Sequence, residues 1–143
     1  MAEFKYAKGR IGESLQFILN ELKEFQQDYA SKSWQDYRND RKLQKLMDRT
    51  VENILTALIE VCGTLLTQEN ITAENYAQVL GECAKKLGFI EKDQENLAKL
   101  ALQRNRLAHR YLNFRWEAVN MFKEYMPLVT ALLTKISERE DKP

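Results

Sequence analysis

The sequence predicts an all-α fold, an up-and-down bundle of about five helices. Apolar residues recur at alternating steps of three and four along most of the chain, as they do on one face of a helix. Glycine and proline are scarce, at five and two among 143 residues, and no segment alternates apolar and polar residues as a strand does. This length predicts a single domain, residues 1–143, with its core over about 10–136 and a charged, frayed tail at 137–143.

The first two helices follow from the apolar pattern. The first is predicted from about Gly9 to Tyr29, with one apolar face formed by Ile11, Leu15, Ile18, Leu22, Phe25 and Tyr29. A polar stretch at 30–33 separates it from a longer second helix, which carries apolar residues from Leu43 to Leu65 and ends at 68–70. Trp34 and Tyr37 belong either to the first turns of that second helix or to a separate short helix.

The remaining three helices are predicted over about residues 72–87, 93–111 and 115–139. Thr72 is the expected N-cap of the third, because its hydroxyl can accept a free backbone N–H, and Gly88 is expected to end it. Pro127 lies inside the fifth and is expected to break or kink it, since proline donates no backbone hydrogen bond.

The composition excludes several classes of function. The net charge is +1, so any RNA-related function must rest on local features. No continuous apolar run reaches the ~18 residues of a membrane-spanning helix, and residues 1–5 lack the apolar segment of a signal peptide, so we expect a cytoplasmic protein without membrane contact. Cys62 and Cys83 are expected to be buried free thiols, because two cysteines and one histidine make neither a disulfide framework nor a zinc site.

Polar residues interrupt the apolar pattern of the fourth helix. At about 100° per residue, one stripe consists of Leu97, Leu100, Arg104, Leu107 and Tyr111, and a second of Ala98, Leu102, Asn105, His109 and Leu112. Two stripes predict two packing partners, the bundle core and a second surface such as another subunit. Arg104 stands where a leucine is expected, and Asn105 and His109 face one direction as an i, i+4 pair. A guanidinium near a core is energetically costly unless it is paired or lies beside a cleft, so the pattern indicates a pocket. The alternative interpretation is simpler: the arginines are solvated, and the histidine is half-buried and hydrogen-bonded.

The order Arg104, Asn105, three residues, His109, one residue and Tyr111 resembles the signature of the HEPN superfamily, and the tyrosine resembles its HepT toxin branch. Similarity extends to segments 52–53 and 57–60 of the long second helix and to 75–82 and 87–90 before the motif, so it covers about residues 10–136.

The resemblance implies a homodimer in which two motif-bearing helices face each other and form a composite site that cleaves RNA without a metal or other cofactor. His109 would act as general base or acid, since an ordinary imidazole titrates near neutral pH. Arg104 would hold the scissile phosphate bidentately, and Asn105 would orient His109 or contact the phosphate. Attack by the 2′-hydroxyl would leave a 2′,3′-cyclic phosphate and a 5′-hydroxyl. Arg106 and Arg110, on the polar face of the predicted helix, either contact the RNA backbone or form a solvated face.

The resemblance also implies a partner, a minimal nucleotidyltransferase antitoxin that silences the toxin by attaching AMP to Tyr111. By periodicity alone, Tyr111 is equally a core residue of its stripe. An AMP group beside Arg104 would occupy the phosphate site and exclude RNA.

Two other functions remain open. Helical nucleotidyltransferase substrate-binding proteins, which are not catalytic, share a similar Arg-Asn-x-x-x-His arrangement and resemble the segment Tyr125–Val129. Their aromatic-rich long helix is not evident here, where aliphatic residues predominate, and the HepT-like branch is therefore favoured. The other alternative is a structural helical dimer with a vestigial site. Further basic residues would extend an RNA-binding surface if they lie near the cleft: Lys85, Lys86, Arg115 and Lys123.

Overall fold

A computed structural model of the chain describes residues 2–140, with side chains from residue 11 onward. These residues form helices and no strand, which confirms the all-α prediction. The helices are α1 (Ala2–Asp28), α2 (Trp34–Asn39), α3 (Arg41–Gln68), α4 (Tyr76–Lys86), α5 (Glu91–Arg106) and α6 (Leu112–Glu140). The described part therefore contains one helix more than the five predicted, because residues 34–39 form a helix of their own.

Two side-chain caps separate α2 from α3. The Ser33 hydroxyl accepts the Asp36 N–H at 3.2 Å, and the Asp36 carboxylate accepts the Ser33 N–H at 3.0 Å, which is a complete capping box. The Asp40 carboxylate accepts the Leu43 N–H at 3.0 Å and starts α3. Of the two predicted positions for Trp34 and Tyr37, the separate short helix is the right one.

The predicted N-cap of α4 is wrong, whereas its predicted end is confirmed. Asn75, not Thr72, caps the helix, because its side-chain oxygen accepts the Gln78 N–H at 2.9 Å. At the other end Gly88 adopts a φ of 89°, a left-handed conformation that favours glycine. The N–H groups of Gly88 and Phe89 donate back to the carbonyls of Lys85 and Ala84, as in a Schellman motif.

α3 is the central helix of the bundle and contacts each of the other five. Half of its 28 residues are buried, mostly aliphatic ones. It is the one described helix long and apolar enough to cross a membrane by length and composition, although the sequence suggested none. Because 61% of its most apolar window is buried inside the bundle, α3 has the environment of a core helix. Cys62 of α3 and Cys83 of α4 are buried free thiols, as predicted.

The chain between α5 and α6 departs most from expectation. α5 ends at Arg106, and residues 107–111 form a turn, so the prediction of a helix to Tyr111 is wrong. No glycine or proline marks this end. Tertiary packing overrides local preference here, because Leu107 is buried and α6 must return along α5 to cover the core.

Contrary to the prediction from the sequence, α6 is neither broken at Pro127 nor frayed from residue 137. It passes through Pro127 without a break and ends at Glu140, so residues 137–140 of the predicted frayed tail are helical, while 141–143 lie outside the described residues. The guanidinium of Arg139 pairs with Glu69 just after α3, and the Lys86 ammonium lies 3.7 Å from the same carboxylate. Glu69 thus joins the last turns of α4 and α6 to the end of α3.

Candidate active site

Arg104 is half-buried near the end of α5, at a point where three helices meet. Its Nε donates a hydrogen bond to Oγ1 of Thr56 on α3 at 2.7 Å. Its guanidinium carbon lies 5.6 Å from the ring centroid of Tyr76, the first residue of α4, within the range of a cation–π contact. The predicted anomaly of an arginine in the core stripe is therefore real, and a neutral hydroxyl and an aromatic face accommodate its charge.

The Arg104 side chain lines an open groove of about 470 Å³ between α1, α3 and α5. The groove is bordered by Glu13, Ser14, Phe17, Glu52, Asn53, Thr56, Ala57, Glu60 and Arg104. Three of these residues are glutamates, so the surroundings of Arg104 are acidic. Nevertheless, among the side chains that the structure describes, Arg104 takes part in no ion pair.

His109 lies in the 107–111 turn, not on a helix. Its backbone N–H donates to the Arg106 carbonyl at 3.1 Å, and its exposed ring packs edge-on against Phe114 with centroids 5.5 Å apart. The ring of Tyr111 packs against the same Phe114 at 5.6 Å and is 62% exposed. The interpretation of Tyr111 as a core residue is wrong, because the chain leaves the helix before reaching it.

The second stripe of the predicted helix is exposed in its middle part, whereas Ala98 and Leu112 at its two ends are half-buried. Leu102 is 52% exposed and Asn105 is exposed. Since α5 ends at Arg106, Asn105 and His109 are not one turn apart on a helix, and their predicted alignment is wrong. Within residues 11–140, no hydrogen bond joins Arg104 or Asn105 to His109. Within one copy of the chain, Arg104 contacts Thr56 and Tyr76, whereas His109 contacts Phe114.

The basic residues near the motif differ in availability. Arg106 pairs with Glu117 of α6 at 3.0 Å, whereas Arg110 is exposed in the turn. Gln103, predicted on the same polar face, is only 5% exposed, so that face is not solvated as a whole. Arg115 is unavailable for a basic surface, because its Nη1 lies 2.7 Å from Oδ2 of the buried Asp48.

Tyr37, Asp48 and Arg115 form a buried network of hydrogen bonds next to the 107–111 turn. The sequence did not predict this network. The Tyr37 hydroxyl donates to Asp48 Oδ1 at 2.6 Å, and Arg115 pairs with the other carboxylate oxygen. The backbone N–H of Arg115 donates to the Tyr111 carbonyl at 3.3 Å, which connects the network to the motif. A carboxylate amid the apolar residues Met47 and Val51 was the available signal in the sequence.

Burial dominates the electrostatics of this network. Desolvation raises the pKa of Tyr37 far above its usual value of 10, and the hydrogen bond to Asp48 acts in the same direction. Desolvation also raises the pKa of Asp48, although its bonds to Tyr37 and Arg115 oppose that change. The polar groups of this network lose their hydration and gain hydrogen bonds to one another. The network therefore fixes the geometry of this region more than it adds net stability.

Chemically, the motif offers a cation and a proton carrier. Arg104 keeps its two terminal amino groups for an anion such as phosphate, and His109 presents an imidazole to solvent. Between residues 11 and 140, no three His, Cys, Asp or Glu side chains are grouped so that they could hold a metal ion.

Comparison with known proteins identifies the family of the chain. No curated protein sequence matches the chain. Residues 16–136, however, match the protein family described as ribonuclease HepT-like. This stretch includes the groove residues on α3, Arg104, the 107–111 turn and most of α6. We conclude that the chain belongs to the ribonuclease HepT-like family, a HEPN-type group of helical proteins.

Proposed function

We propose that the chain is a HepT-like toxin, a cytoplasmic, metal-independent endoribonuclease in which the ribose 2′-hydroxyl attacks the adjacent phosphate. His109 accepts the proton of that hydroxyl or returns one to the leaving 5′-oxygen. Arg104 binds the scissile phosphate and stabilises the charge that grows on its oxygens. Family membership supports an RNA substrate and a toxin–antitoxin context. The products are a 2′,3′-cyclic phosphate and a 5′-hydroxyl.

The observation that carries this proposal is the contrast between the two motif residues. Arg104 is anchored through Nε with its terminal amino groups unpaired, while His109 is held by Phe114 in an exposed turn. A phosphate-binding group fixed on a helix and a solvent-accessible imidazole in the turn that follows it are the two groups that general acid–base cleavage of RNA needs. Asn105 and Arg110, both exposed near the motif, are then available to contact the RNA backbone. Arg106 must first release Glu117 to do so.

The composite site requires a homodimer. The exposed residues Leu102 and Asn105 at the end of α5 offer a surface for a second copy, and pairing there would bring two motifs together. Leu102→Arg places a charge on that surface and is expected to give a monomer in light-scattering measurements. Leu19→Arg, at a similarly exposed leucine on α1, is the control and leaves the mass unchanged. A dimer that persists in Leu102→Arg places the interface elsewhere.

We propose that a cognate nucleotidyltransferase antitoxin silences the toxin by attaching AMP to Tyr111, and the exposure of this tyrosine supports the proposal. The exposed ring of Tyr111 and the ring of His109 both pack against Phe114. An AMP group on the Tyr111 hydroxyl would therefore lie close to the imidazole and block RNA binding. Incubation with ATP and a cognate minimal nucleotidyltransferase should add the mass of AMP to wild type but not to Tyr111→Phe. An unshifted wild-type mass with an active partner contradicts the modification.

The ribonuclease proposal is tested with purified protein, RNA and excess EDTA. His109→Ala is expected to lower the cleavage rate by about 10²–10⁴-fold, as for a lost general acid or base. Arg104→Ala is expected to lower it by about 10²–10³-fold through lost charge stabilisation. Arg38→Ala removes an exposed arginine of α2 and should leave the rate unchanged. Mass spectrometry of the fragments should show 2′,3′-cyclic phosphate ends.

Two results refute the proposal. Equal cleavage by the wild type and both motif variants assigns the activity to a contaminant or another site. A dimeric wild type that binds the nucleotidyltransferase and cleaves no RNA supports the non-catalytic partner protein instead.

A further inference from the structure

Arg104 lies near carboxylates and forms no ion pair with any that the structure describes, unlike three other arginines of the chain. Arg106, Arg115 and Arg139 each pair with an aspartate or glutamate. Arg104 shares its groove with Glu13, Glu52 and Glu60, and it pairs with none of the described carboxylates. A long, flexible side chain would normally turn toward such charges, since each ion pair lowers the electrostatic energy of the guanidinium. Something else must fix its direction.

Thr56 provides that restraint, and its hydroxyl is used unlike those of its neighbours. Thr50, Thr64 and Thr67 of α3 each donate to the carbonyl four residues earlier in their own helix. Thr56 Oγ1 instead accepts the Arg104 Nε–H at 2.7 Å, across 48 positions of sequence. A guanidinium held through Nε keeps both terminal amino groups on its far side, where they can bind two phosphate oxygens.

Tyr76 restrains the same group from a second direction. Its ring, 49% exposed at the first residue of α4, lies 5.6 Å from the guanidinium carbon. A cation over an aromatic face gains attraction without a counter-ion, so Tyr76 stabilises the charge while leaving the hydrogen-bond donors unused. Thr56 and Tyr76 therefore limit the rotation of Arg104 from α3 and α4 respectively.

We propose that Thr56 and Tyr76 are positioning residues that hold Arg104 away from the groove glutamates and keep its terminal amino groups ready for the RNA phosphate. The inference rests on the proposed ribonuclease function. When Thr56 is replaced by a residue that cannot accept the Nε–H, the Arg104 guanidinium turns toward the glutamates of the groove and pairs with one of their carboxylates. Phosphate then has to compete with that pair, and the charge developing in the transition state loses its stabilising group.

The kinetic test compares Thr56→Val, which keeps the shape and removes the acceptor, with Thr56→Ser, which keeps the acceptor. We expect Thr56→Val to lower kcat/KM for RNA roughly 10- to 100-fold, mostly through kcat, and Thr56→Ser to recover most of that loss. Thr64→Val makes the same substitution two turns along α3, at a hydroxyl bonded only to its own helix, and should match wild type. Equal activity of the valine and serine variants at position 56 overturns the proposal.

The same series tests the competition and the cation–π contact. Changing Glu13, Glu52 and Glu60 to glutamine in the Thr56→Val background should restore at least part of the lost kcat, because the three carboxylates that border the groove are then gone. No recovery overturns the proposed pairing with the groove. Tyr76→Phe, which keeps the aromatic face, should stay near wild type, whereas Tyr76→Leu should lose activity several-fold. Equal loss in both variants overturns the role of the ring.

A readout that needs no activity separates this proposal from the ribonuclease proposal. In ¹⁵N-labelled protein, the Arg104 Nε–H signal, assigned by its absence in Arg104→Lys, should exchange slowly with water in wild type and in Thr56→Ser. It should broaden or shift in Thr56→Val and not in Thr64→Val. If wild type cleaves no RNA while this pattern holds, the ribonuclease function fails and the positioning of Arg104 stands. An Nε–H signal that is unchanged in Thr56→Val refutes the positioning itself.

Discussion

Replacing Tyr37 with phenylalanine removes one hydroxyl from the buried network next to the 107–111 turn and leaves the aromatic ring in its place. The ring is fully buried, and its hydroxyl donates to Asp48 at 2.6 Å. Hydrogen bonds to charged groups contribute about 1.5–3 kcal/mol, and the substitution also leaves one buried carboxylate oxygen without this donor. Because the second oxygen keeps Arg115 at 2.7 Å, we expect a loss of about 2 kcal/mol in the free energy of unfolding at pH 8.

The pH dependence of that loss has a definite sign. In the unfolded chain Tyr37 loses its proton near pH 10, whereas burial and Asp48 hold its pKa in the folded protein well above that value. A raised pKa means that the folded state keeps the proton, so its stability falls as pH rises above 10. The decline approaches about 1.4 kcal/mol per pH unit, and Tyr37→Phe does not share it. The advantage of wild type should therefore vanish near pH ~11.5.

Urea denaturation followed by tryptophan fluorescence measures this difference directly. The ring centroids of Trp34 and Trp116 lie 6.3 Å and 5.1 Å from that of Tyr37, so both tryptophans report on the site. Tyr125→Phe is the control, because the structure describes no hydrogen bond of the half-buried Tyr125 hydroxyl. An advantage of wild type over Tyr37→Phe that stays constant from pH 8 to 12 would refute the reasoning.

Three further substitutions test other parts of the fold. Asp48→Asn leaves the half-buried Arg115 without its counter-ion and should lower the free energy of unfolding by about 3 kcal/mol; urea titrations that show a loss below 1 kcal/mol would argue against a tight pair. Gly88→Ala, at a φ of 89° with open space for the new methyl group, should cost about 1–2 kcal/mol from backbone strain alone, and thermal melting that shows no loss contradicts the left-handed conformation. Pro127→Ala restores a donor for the Lys123 carbonyl inside α6 and should raise stability by about 1–3 kcal/mol, whereas a fall in melting temperature would mean that the proline ring packs favourably.

Periodicity was sufficient to predict most of the fold. The apolar face of α1, from Ile11 to Tyr29, is buried as predicted, and so are the thiols of Cys62 and Cys83. These predictions succeed because burial of an apolar face is a property of the local sequence pattern. The end of α5 could not be predicted, since Leu107 and Ala108 favour a helix and only packing against α6 interrupts it.

The site was predicted in part for the same reason. Arg104 interrupts an apolar stripe, and that local signal correctly indicated a groove. The expected meeting of Asn105 and His109 relied on a continuous helix and is wrong. Thr56 carried no signal, because a threonine inside a helix usually bonds its own backbone, and its contact with Arg104 arises only from the tertiary fold.

The ionic cluster around Glu69 bears on how short the chain can be made. Family similarity ends at residue 136, which suggests a natural place to truncate. A chain cut there would lose Arg139 and release the end of α3 from α6, leaving Lys86 as the remaining partner of Glu69. The connection after α3 would then open more readily to proteases, and high salt would produce the same effect in the full chain by screening the pair.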